Sequence, residues 1–441
     1  MSRARAYTAS GWSVLPPSGD WAQASDRAAV DWSGRFAWFA GVFLLVAFSQ
    51  AWVAVLVGYE PGKEEFGIVR NGFLVAYAVG LAWLALDARA ALGALLRSPL
   101  LLFLIGLAFV TAAWSLDPGA TVRRSVALAF TTLAGVSLAA RFRWRQLATI
   151  LAATFGALAL ASLVMGALTP GMGRMSEIFP GAWRGLWLEK NAFGGMMATA
   201  LLACAAAAVL NPRRRGLWSA ASVLCFALVL LSTSKTSLLA AVLGAGCMMF
   251  VWVCRRGPVT AVLAVWAGVA LVAGGAALLA WNPDLLFDAL GKDASLTGRT
   301  EIWEAARRQI EQRPWTGFGY GVLWDQEGAW DPLAWIVKDS GFKAGHAHNG
   351  WLETWLGFGL VGLALWTLLF AETWLRTLVG LAREPGVYLA LPLLLVFSLI
   401  SLTEVSVLDY HDVQWTIFCA VAVKLAVGDR FTPSAPPPPE S

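Results

Sequence analysis

Charged residues are scarce in this sequence. Lysine, arginine, aspartate and glutamate make up 14% of the 441 residues, against roughly 25% in an ordinary soluble domain. This scarcity excludes a soluble globular fold. The net charge of +5 is small for so long a chain, and most basic residues stand next to apolar runs, where they set membrane orientation. Nucleic acid is therefore not an expected partner.

The sequence also lacks the patterns that usually hold metal ions. None of the five cysteines belongs to a C-x-x-C pair, and all lie inside or at the ends of apolar runs, so we expect neither a disulfide nor a zinc site. No Asp-x-Asp pair occurs, and nothing therefore predicts a divalent metal that would hold a sugar nucleotide. We expect no metal and no cofactor.

Long apolar runs are abundant, since 58% of the residues are hydrophobic. A bilayer span needs ~20 such residues in succession. The sequence therefore predicts an all-α polytopic membrane protein with about 12 transmembrane helices. The predicted spans lie at 36–58, 72–87, 99–114, 125–140, 147–167, 192–210, 216–232, 236–254, 259–281, 350–372, 386–404 and 412–427.

Basic residues are divided unevenly between the two sides of these spans. More than half of the 33 lysines and arginines fall on the side that holds both chain ends, which predicts cytoplasmic termini. One long loop then lies outside. The predicted organisation is a disordered N-terminal segment (1–35), nine spans (36–281), the outer loop (282–349), three spans (350–427) and a proline-rich tail (428–441).

The outer loop contains one amphipathic pattern, at 299–312. Its apolar residues recur at helical spacing, Glu304 stands four residues before Arg308, and Pro314 follows, which predicts a helix that ends before the proline. The next motif, TGFGYG (316–321), follows no strand of a βαβ unit. We therefore interpret it as a turn and not as a dinucleotide-binding loop.

Lys235 lies in the motif STSKTS (232–237), in a connection so short that its ammonium must lie at or within the outer membrane boundary. An ionisable group at that depth indicates a functional site, and the surrounding hydroxyls suit an anionic ligand. A lysine that only extends from a helix end towards the headgroups fits the sequence equally well.

Arg299 and Thr300 begin the predicted amphipathic helix, where backbone N–H groups and the guanidinium suit a phosphate. A solvated arginine is the commoner role for such a residue. Together with Lys235, several further outward cations predict a basic basin suited to a lipid phosphate or diphosphate. These are Arg123, Arg124, Arg174, Arg184 and Lys190.

Two of the three histidines, His346 and His348, lie in AGHAHNGWLE (344–353), where the outer loop meets the next span. A neutral imidazole is the usual general base for deprotonating a hydroxyl. A capping or structural role is equally compatible, and H-x-H without a third ligand is a weak metal pattern. The third, His411, has no cationic neighbour in sequence and is interpreted as structural.

Three segments in this order resemble a known family: SKTSLLAAVLG (234–244), GRTEIWEAARRQIEQRPWTGFGYG (298–321) and HAHNGWLETWLGFGLVGL (346–363). The set is similar to the O-antigen ligase and Wzy-type polymerase superfamily, most of all to the ExoQ-like exopolysaccharide polymerases. The resemblance covers about 170 residues. It implies a helical fold of the GT-C type in the bacterial inner membrane, and glycan transfer from undecaprenyl diphosphate at the periplasmic face without metal.

The same resemblance implies roles for particular residues. His348 would be the general base, Arg299 would bind the diphosphate, and Lys235 stands where ligases usually carry arginine. Lysine keeps the charge but loses the two-pronged geometry of the guanidinium. Further candidates for the diphosphate site are Lys190 and Arg184. Candidates for acceptor binding or support are His346, Asn349, Glu353 and Trp303.

The favoured function is inverting polymerisation of exopolysaccharide or O-antigen-type repeat units, with a lipid-linked oligosaccharide and an acceptor glycan as substrates. A ligase that modifies lipid A core or another acceptor would use the same residues. A flippase for the same lipid-linked glycan is disfavoured, because no repeat appears at corresponding positions of the two halves and the loop is long. Expected partners are the bilayer, a flippase and a chain-length regulator.

Overall fold

The computed structural model describes residues 32–58, 67–176, 179–281, 299–326, 328–341 and 343–429, and helices dominate this part of the chain. Most of the predicted N-terminal segment and tail, and residues 282–298 of the predicted loop, lie outside these ranges. The helices are α1 (Trp32–Phe48), α2 (Val53–Val57), α3 (Gly67–Leu95), α4 (Pro99–Val110), α5 (Pro118–Arg141), α6 (Trp144–Leu168), α7 (Pro170–Gly173), α8 (Lys190–Leu210), α9 (Arg215–Leu231), α10 (Lys235–Cys254), α11 (Pro258–Trp281), α12 (Arg299–Ile310), α13 (Pro332–Ser340), α14 (Gly350–Gly380), α15 (Val387–Ser401) and α16 (Val413–Val427).

Eight of these helices are long and apolar enough to cross a membrane, namely α3, α5, α6, α8, α9, α10, α11 and α14. Four shorter apolar helices, α1, α4, α15 and α16, complete the set. Each of the twelve coincides with one of the predicted apolar runs. The protein is a polytopic all-α membrane protein, which confirms the predicted fold class.

Helix α8 lies at the centre of the larger core, in contact with α6, α9, α10 and α15. Small residues permit close packing elsewhere: a Cβ atom on Gly135 of α5 would lie 2.5 Å from the carbonyl oxygen of Thr416 in α16. Helix α11 turns large side chains outward, and Leu271 is 78% exposed. In a bilayer such surfaces face lipid, since helices satisfy their own backbone groups there.

Helix α14 is broken at Gly359, whose backbone has φ +66° and ψ −168°. A Cβ atom at this position would lie 2.2 Å from the backbone of Trp315, so only glycine fits. The glycine-rich turn 316–321 lies against the break, and the two segments exchange backbone hydrogen bonds. These run from Phe318 N to Leu356 O (2.8 Å), from Gly319 N to Gly357 O (3.1 Å) and from Leu360 N to Pro314 O (2.8 Å).

A separate apolar core fixes the part of the chain that precedes α14. It joins α12, the turn, α13 and the first turns of α14, and the predicted amphipathic helix is confirmed as α12, with Glu304 and Arg308 3.8 Å apart. The core therefore holds the start of α12 at a fixed place beside the start of α14. Its buried members are Ala305, Ala306, Ile310, Phe318, Leu323, Ile336 and Leu356.

Candidate functional site

The carboxylate of Glu404, in the segment after α15, joins two residues that the sequence analysis singled out. Its Oε1 atom accepts a hydrogen bond from Arg299 Nη2 at 3.0 Å. Its Oε2 atom lies 3.2 Å from Nδ1 of His348. The predicted diphosphate-binding arginine and the predicted base therefore share one carboxylate, although 49 positions separate them in the sequence.

Arg299 is the first residue of α12, and its guanidinium also donates from Nη1 to the carbonyl oxygen of Thr403 at 2.6 Å. Two of its five N–H groups make these bonds. The side chain is 21% exposed, so it is neither freely solvated nor enclosed. Both terminal nitrogens of the guanidinium therefore bind the protein, and the other three N–H groups are the donors for an anion.

His348 precedes helix α14 in a left-handed conformation, with φ +50°. Few residues other than glycine adopt it, and such backbone strain concentrates at functional sites. The next residue, Asn349, caps the helix: its side chain accepts the N–H groups of Trp351 at 3.0 Å and Leu352 at 3.2 Å. Asn349 therefore supports the histidine by fixing where α14 begins.

Two further predicted residues hold the loop that carries the histidines. Trp303 Nε1 donates to the carbonyl oxygen of Ala347 at 2.8 Å. The carboxylate of Glu353 accepts the N–H of Ala347 and, at 2.9 Å, the indole N–H of Trp324. Trp303 and Glu353 thus bind the carbonyl and the N–H of Ala347, the residue before His348, and hold the backbone of the histidine loop in place.

His346 contacts His348 directly, with ring centroids 3.9 Å apart. Its Nδ1 atom accepts the backbone N–H of His348 at 3.2 Å. Burial, together with the charge of His348, lowers the pKa of His346 to about 4. His346 is therefore neutral near pH 7, with its proton on Nε2, and acts as a hydrogen-bond donor there.

The charge state of Glu404 determines the tautomer of His348. Burial alone would raise the pKa of this carboxyl, but the hydrogen bond from His348 and the positive charge of Arg299 outweigh it and hold the pKa below the ordinary value. An ionised carboxylate only accepts hydrogen bonds, so Nδ1 of His348 donates. In a neutral ring with its proton on Nδ1, the lone pair is on Nε2.

Lys190 and Lys235 form a second cationic group, each as the first residue of its helix, α8 and α10. Lys190 Nζ lies 3.4 Å from Thr233 Oγ1 and 3.6 Å from the ring centroid of Phe179. The two ammonium groups lie close enough for their charges to repel. The site therefore contains a concentrated positive charge at the N-terminal ends of two helices, where the helix dipoles add to it.

The serines around Lys235 make hydrogen bonds within their own part of the chain. Ser234 caps α10, since its Oγ accepts the N–H of Ser237 at 3.4 Å. Ser232 Oγ donates to the carbonyl oxygen of Val229 at 2.6 Å. All three serines are buried. They shape the turn that presents Lys235, and the binding of an anion by the hydroxyls of this motif stays a prediction.

The lysine pair and Glu404 lie at the same end of the helix bundle. A Cβ atom on Gly195, in the second turn of α8, would lie 3.9 Å from Ile400 Cδ1. Ile400 is at the C-terminal end of α15, four residues before Glu404. The first turn of α8, with Lys190, therefore stands beside the segment that carries Glu404.

Three other cations of the predicted basin bind backbone carbonyls. Arg184 donates to Met172 O at 2.8 Å and to Gly171 O at 3.4 Å. Arg174 donates to Gly166 O at 2.9 Å, and Arg124 binds Gly321 O and the carboxylate of Asp325. These contacts hold loops together, and the binding of a diphosphate by Arg184 and by the wider basin stays a prediction.

Sequence reasoning missed Glu404, although a signal for it exists. It is the last residue of the predicted span 386–404, and an ionisable residue at the end of an apolar run is a candidate functional residue. The same rule identified Lys235. Glu404 lacked a recognisable motif around it, and nothing in the sequence shows that this end of α15 meets α12.

The fold and the site define a class of protein: a polytopic membrane protein with cationic side chains and a paired histidine at one end of its bundle. Residues 220–367 match the family described as O-antigen ligase. This segment contains Lys235, Arg299 and His348, and it ends before Glu404.

Two curated proteins are similar to the chain. It is 30% identical over 261 residues to the exopolysaccharide production protein ExoQ of Rhizobium meliloti (strain 1021), which covers 56% of this chain and 59% of that protein. It is 36% identical over 73 residues to the O-antigen ligase of Pseudomonas aeruginosa, which covers 17% of this chain and 16% of that protein. These matches confirm the predicted resemblance to the O-antigen ligase and ExoQ-like superfamily.

Proposed function

We propose that the protein polymerises glycan repeat units by transferring a growing glycan from undecaprenyl diphosphate to a hydroxyl of an acceptor glycan. The observation that supports this proposal is the shared carboxylate of Glu404, which joins the guanidinium of Arg299 and the imidazole of His348. The similarity to an exopolysaccharide production protein, which extends over more than half of the chain, favours polymerisation. The proposed place is the periplasmic face of the bacterial inner membrane, in a fold of the GT-C type.

The chemistry is a single displacement at the anomeric carbon. The acceptor oxygen forms the new C1–O bond while the bond from C1 to the diphosphate oxygen breaks, and the electron pair leaves with the diphosphate. His348 Nε2 takes the proton of the acceptor hydroxyl. The unused N–H groups of Arg299, with Lys190 and Lys235, hold the charge that develops on the leaving group. The displacement inverts the anomeric configuration.

Ligation is the second candidate function, because the matching family is described as O-antigen ligase. A ligase would use the same donor and the same base, and would differ only in the acceptor. The acceptor is therefore the variable that an experiment has to control.

The decisive experiment reconstitutes the full chain in liposomes with an undecaprenyl-diphosphate-linked oligosaccharide, and resolves the products by size. A ladder of repeat multiples, absent with His348→Ala, supports polymerisation. Donor that is consumed only after lipid A core is added supports ligation instead. Donor that is chemically unchanged but moved across the bilayer would contradict both transfer functions and indicate transport.

A further inference from the structure

Glu404 connects three chain segments that no other described side chain joins in this way: the start of α12, the loop before α14 and the segment after α15. The two carboxylate oxygens are divided between Arg299 at 3.0 Å and His348 at 3.2 Å. The adjacent carbonyl oxygen of Thr403 accepts a second guanidinium N–H at 2.6 Å. The segment after α15 thus fixes the side chains of both Arg299 and His348.

The geometry points to Glu404 as a positioning residue for glycan transfer, one that fixes the proton of His348 on Nδ1 and holds Arg299 at a constant distance from it. This inference rests on the proposed function and deepens it. The matched family segment ends at residue 367, so the role belongs to a part of the chain that the family match does not cover.

A purely structural ion pair explains the arrangement less well. The side chains of Glu404, Arg299 and His348 are 39%, 21% and 31% exposed, and ion pairs at such exposure contribute little to folding. The apolar core around Ile302 and Ile310 already fixes α12. The carboxylate is therefore not needed to hold the helix, whereas a fixed imidazole tautomer is needed for a base.

The charged groups in contact with this carboxylate, Arg299 and His348, both favour its ionised form. Arg299 and His348 bind the carboxylate, His346 contributes its neutral ring, and the carboxyl of Glu353, which binds Ala347 and Trp324, also interacts with the charge of His348. Replacing Glu404 by glutamine removes the negative charge nearest the imidazole and keeps the size of the side chain. The amide can also donate to the imidazole, so it no longer selects one tautomer.

The first test is independent of enzymatic activity. The chain has only three histidines, so the imidazole nitrogens of the ¹⁵N-histidine-labelled full chain in lipid can be assigned with one substitution for each. We expect His348 to carry its proton on Nδ1 in the wild type and to populate the Nε2–H tautomer in Glu404→Gln. An unchanged tautomer in Glu404→Gln would overturn the inference. Glu384→Gln, at the opposite end of α15, is the matched control and should leave the spectrum unchanged.

The second test measures transfer in the reconstituted system. Glu404→Gln should lower kcat by about 10²-fold or more, because an imidazole in the wrong tautomer cannot take the proton of the acceptor, while Glu404→Asp recovers part of the loss. A lower yield of folded protein with unchanged kcat would indicate a structural role and contradict the inference.

The two tests separate failure of the inference from failure of the proposed function. If the wild type does not transfer glycan but Glu404→Gln changes the His348 tautomer, the positioning is correct and the proposed reaction is wrong. If the wild type transfers glycan and Glu404→Gln behaves like Glu384→Gln in both tests, the reaction is correct and the positioning is wrong.

Discussion

The Nδ1 atom of His346 accepts the backbone N–H of His348, at a distance of 3.2 Å. The two rings therefore carry their protons on different atoms: His346 on Nε2, and His348 on Nδ1, where Glu404 binds it. One ring then offers a donor and the other a lone pair. An acceptor hydroxyl placed between them would be oriented by the first and deprotonated by the second.

Replacement of His348 by glutamine should lower the rate of glycan transfer by about 10²-fold or more, because a general base contributes at least that much. Donor binding and the unfolding temperature should change little. The rate is measured by donor consumption in liposomes. His411→Gln is the control, since the His411 ring stacks on Phe73 and binds Tyr77; that variant should lose stability and keep its rate per folded molecule. Equal losses in both variants would contradict the role of His348.

Replacement of Arg299 by lysine should raise the KM for the lipid-linked donor by about tenfold or more, which is the order expected for loss of a charged hydrogen bond. A lysine cannot bind Glu404, the Thr403 carbonyl and a diphosphate with one planar group. The control is Arg308→Lys, because Arg308 is 55% exposed and pairs with Glu304 of α12 and Asp339 of α13, neither of which is a candidate for the donor site. A KM that is unchanged in Arg299→Lys would remove Arg299 from the donor site.

Loss of either lysine of the second cationic group should weaken donor binding in a salt-dependent way. Lys190→Ala and Lys235→Ala should each raise KM several-fold at low ionic strength and less at high ionic strength, because salt screens exposed charges. Lys235→Arg keeps the charge and should retain activity. Lys338→Ala is the matched control, since Lys338 of α13 lies over the ring of Trp335 and is not a candidate for the diphosphate site. Salt-independent effects would indicate that the lysines serve packing instead.

The buried histidines should each favour unfolding as the pH falls from about 6.5 towards 4. Burial lowers the pKa of both His346 and His411 to about 4, whereas an exposed histidine titrates near 6.5. Between these values each histidine binds more protons in the unfolded chain, so its contribution to stability falls in acid. Burial raises the pKa of the Asp412 carboxyl to about 7, and this group acts in the opposite direction. His346→Gln should therefore make the folded protein less sensitive to acid than the wild type, measured as the unfolding temperature in detergent against pH, and Arg308→Gln should not.

Chelation of divalent metals should leave transfer unchanged in the reconstituted system. In the proposed reaction, Arg299 and the lysine pair hold the charge of the leaving diphosphate, which is the contribution that a metal makes in many other transferases. The measurement is the rate of donor consumption with and without EDTA. A loss of rate that added magnesium restores would show that the cationic side chains are not sufficient.

The positions of the membrane helices were predictable because apolar length is a strong signal. All twelve apolar runs became helices, and 216–232 and 236–254 became the separate helices α9 and α10. The break in α14 at Gly359 was not predictable. It depends on backbone bonds between Gly319 and Gly357, which are distant in sequence and have no local pattern.

The candidate site was predictable only in part. Motifs identified Arg299, His348 and the lysines, since each stands in a distinctive local sequence. The partner of two of them, Glu404, comes from a helix end with no motif, and its role follows from tertiary contact. Conversely, the serines beside Lys235 suggested a ligand, and the structure instead uses Ser234 as a helix cap. Local sequence shows which functional groups each segment carries, but it does not show which of these groups lie close together in the fold.

The hydrogen bonds between the turn 316–321 and the broken helix α14 make the site independent of the intervening covalent chain. The covalent chain from Arg299 to His348 passes through α13. The segments that carry these two residues are also joined by hydrogen bonds from Phe318 N to Leu356 O and from Trp303 Nε1 to Ala347 O. A backbone nick near Gly328 would therefore leave both residues in register. Two fragments divided near Gly328 and expressed separately should therefore assemble into one active protein.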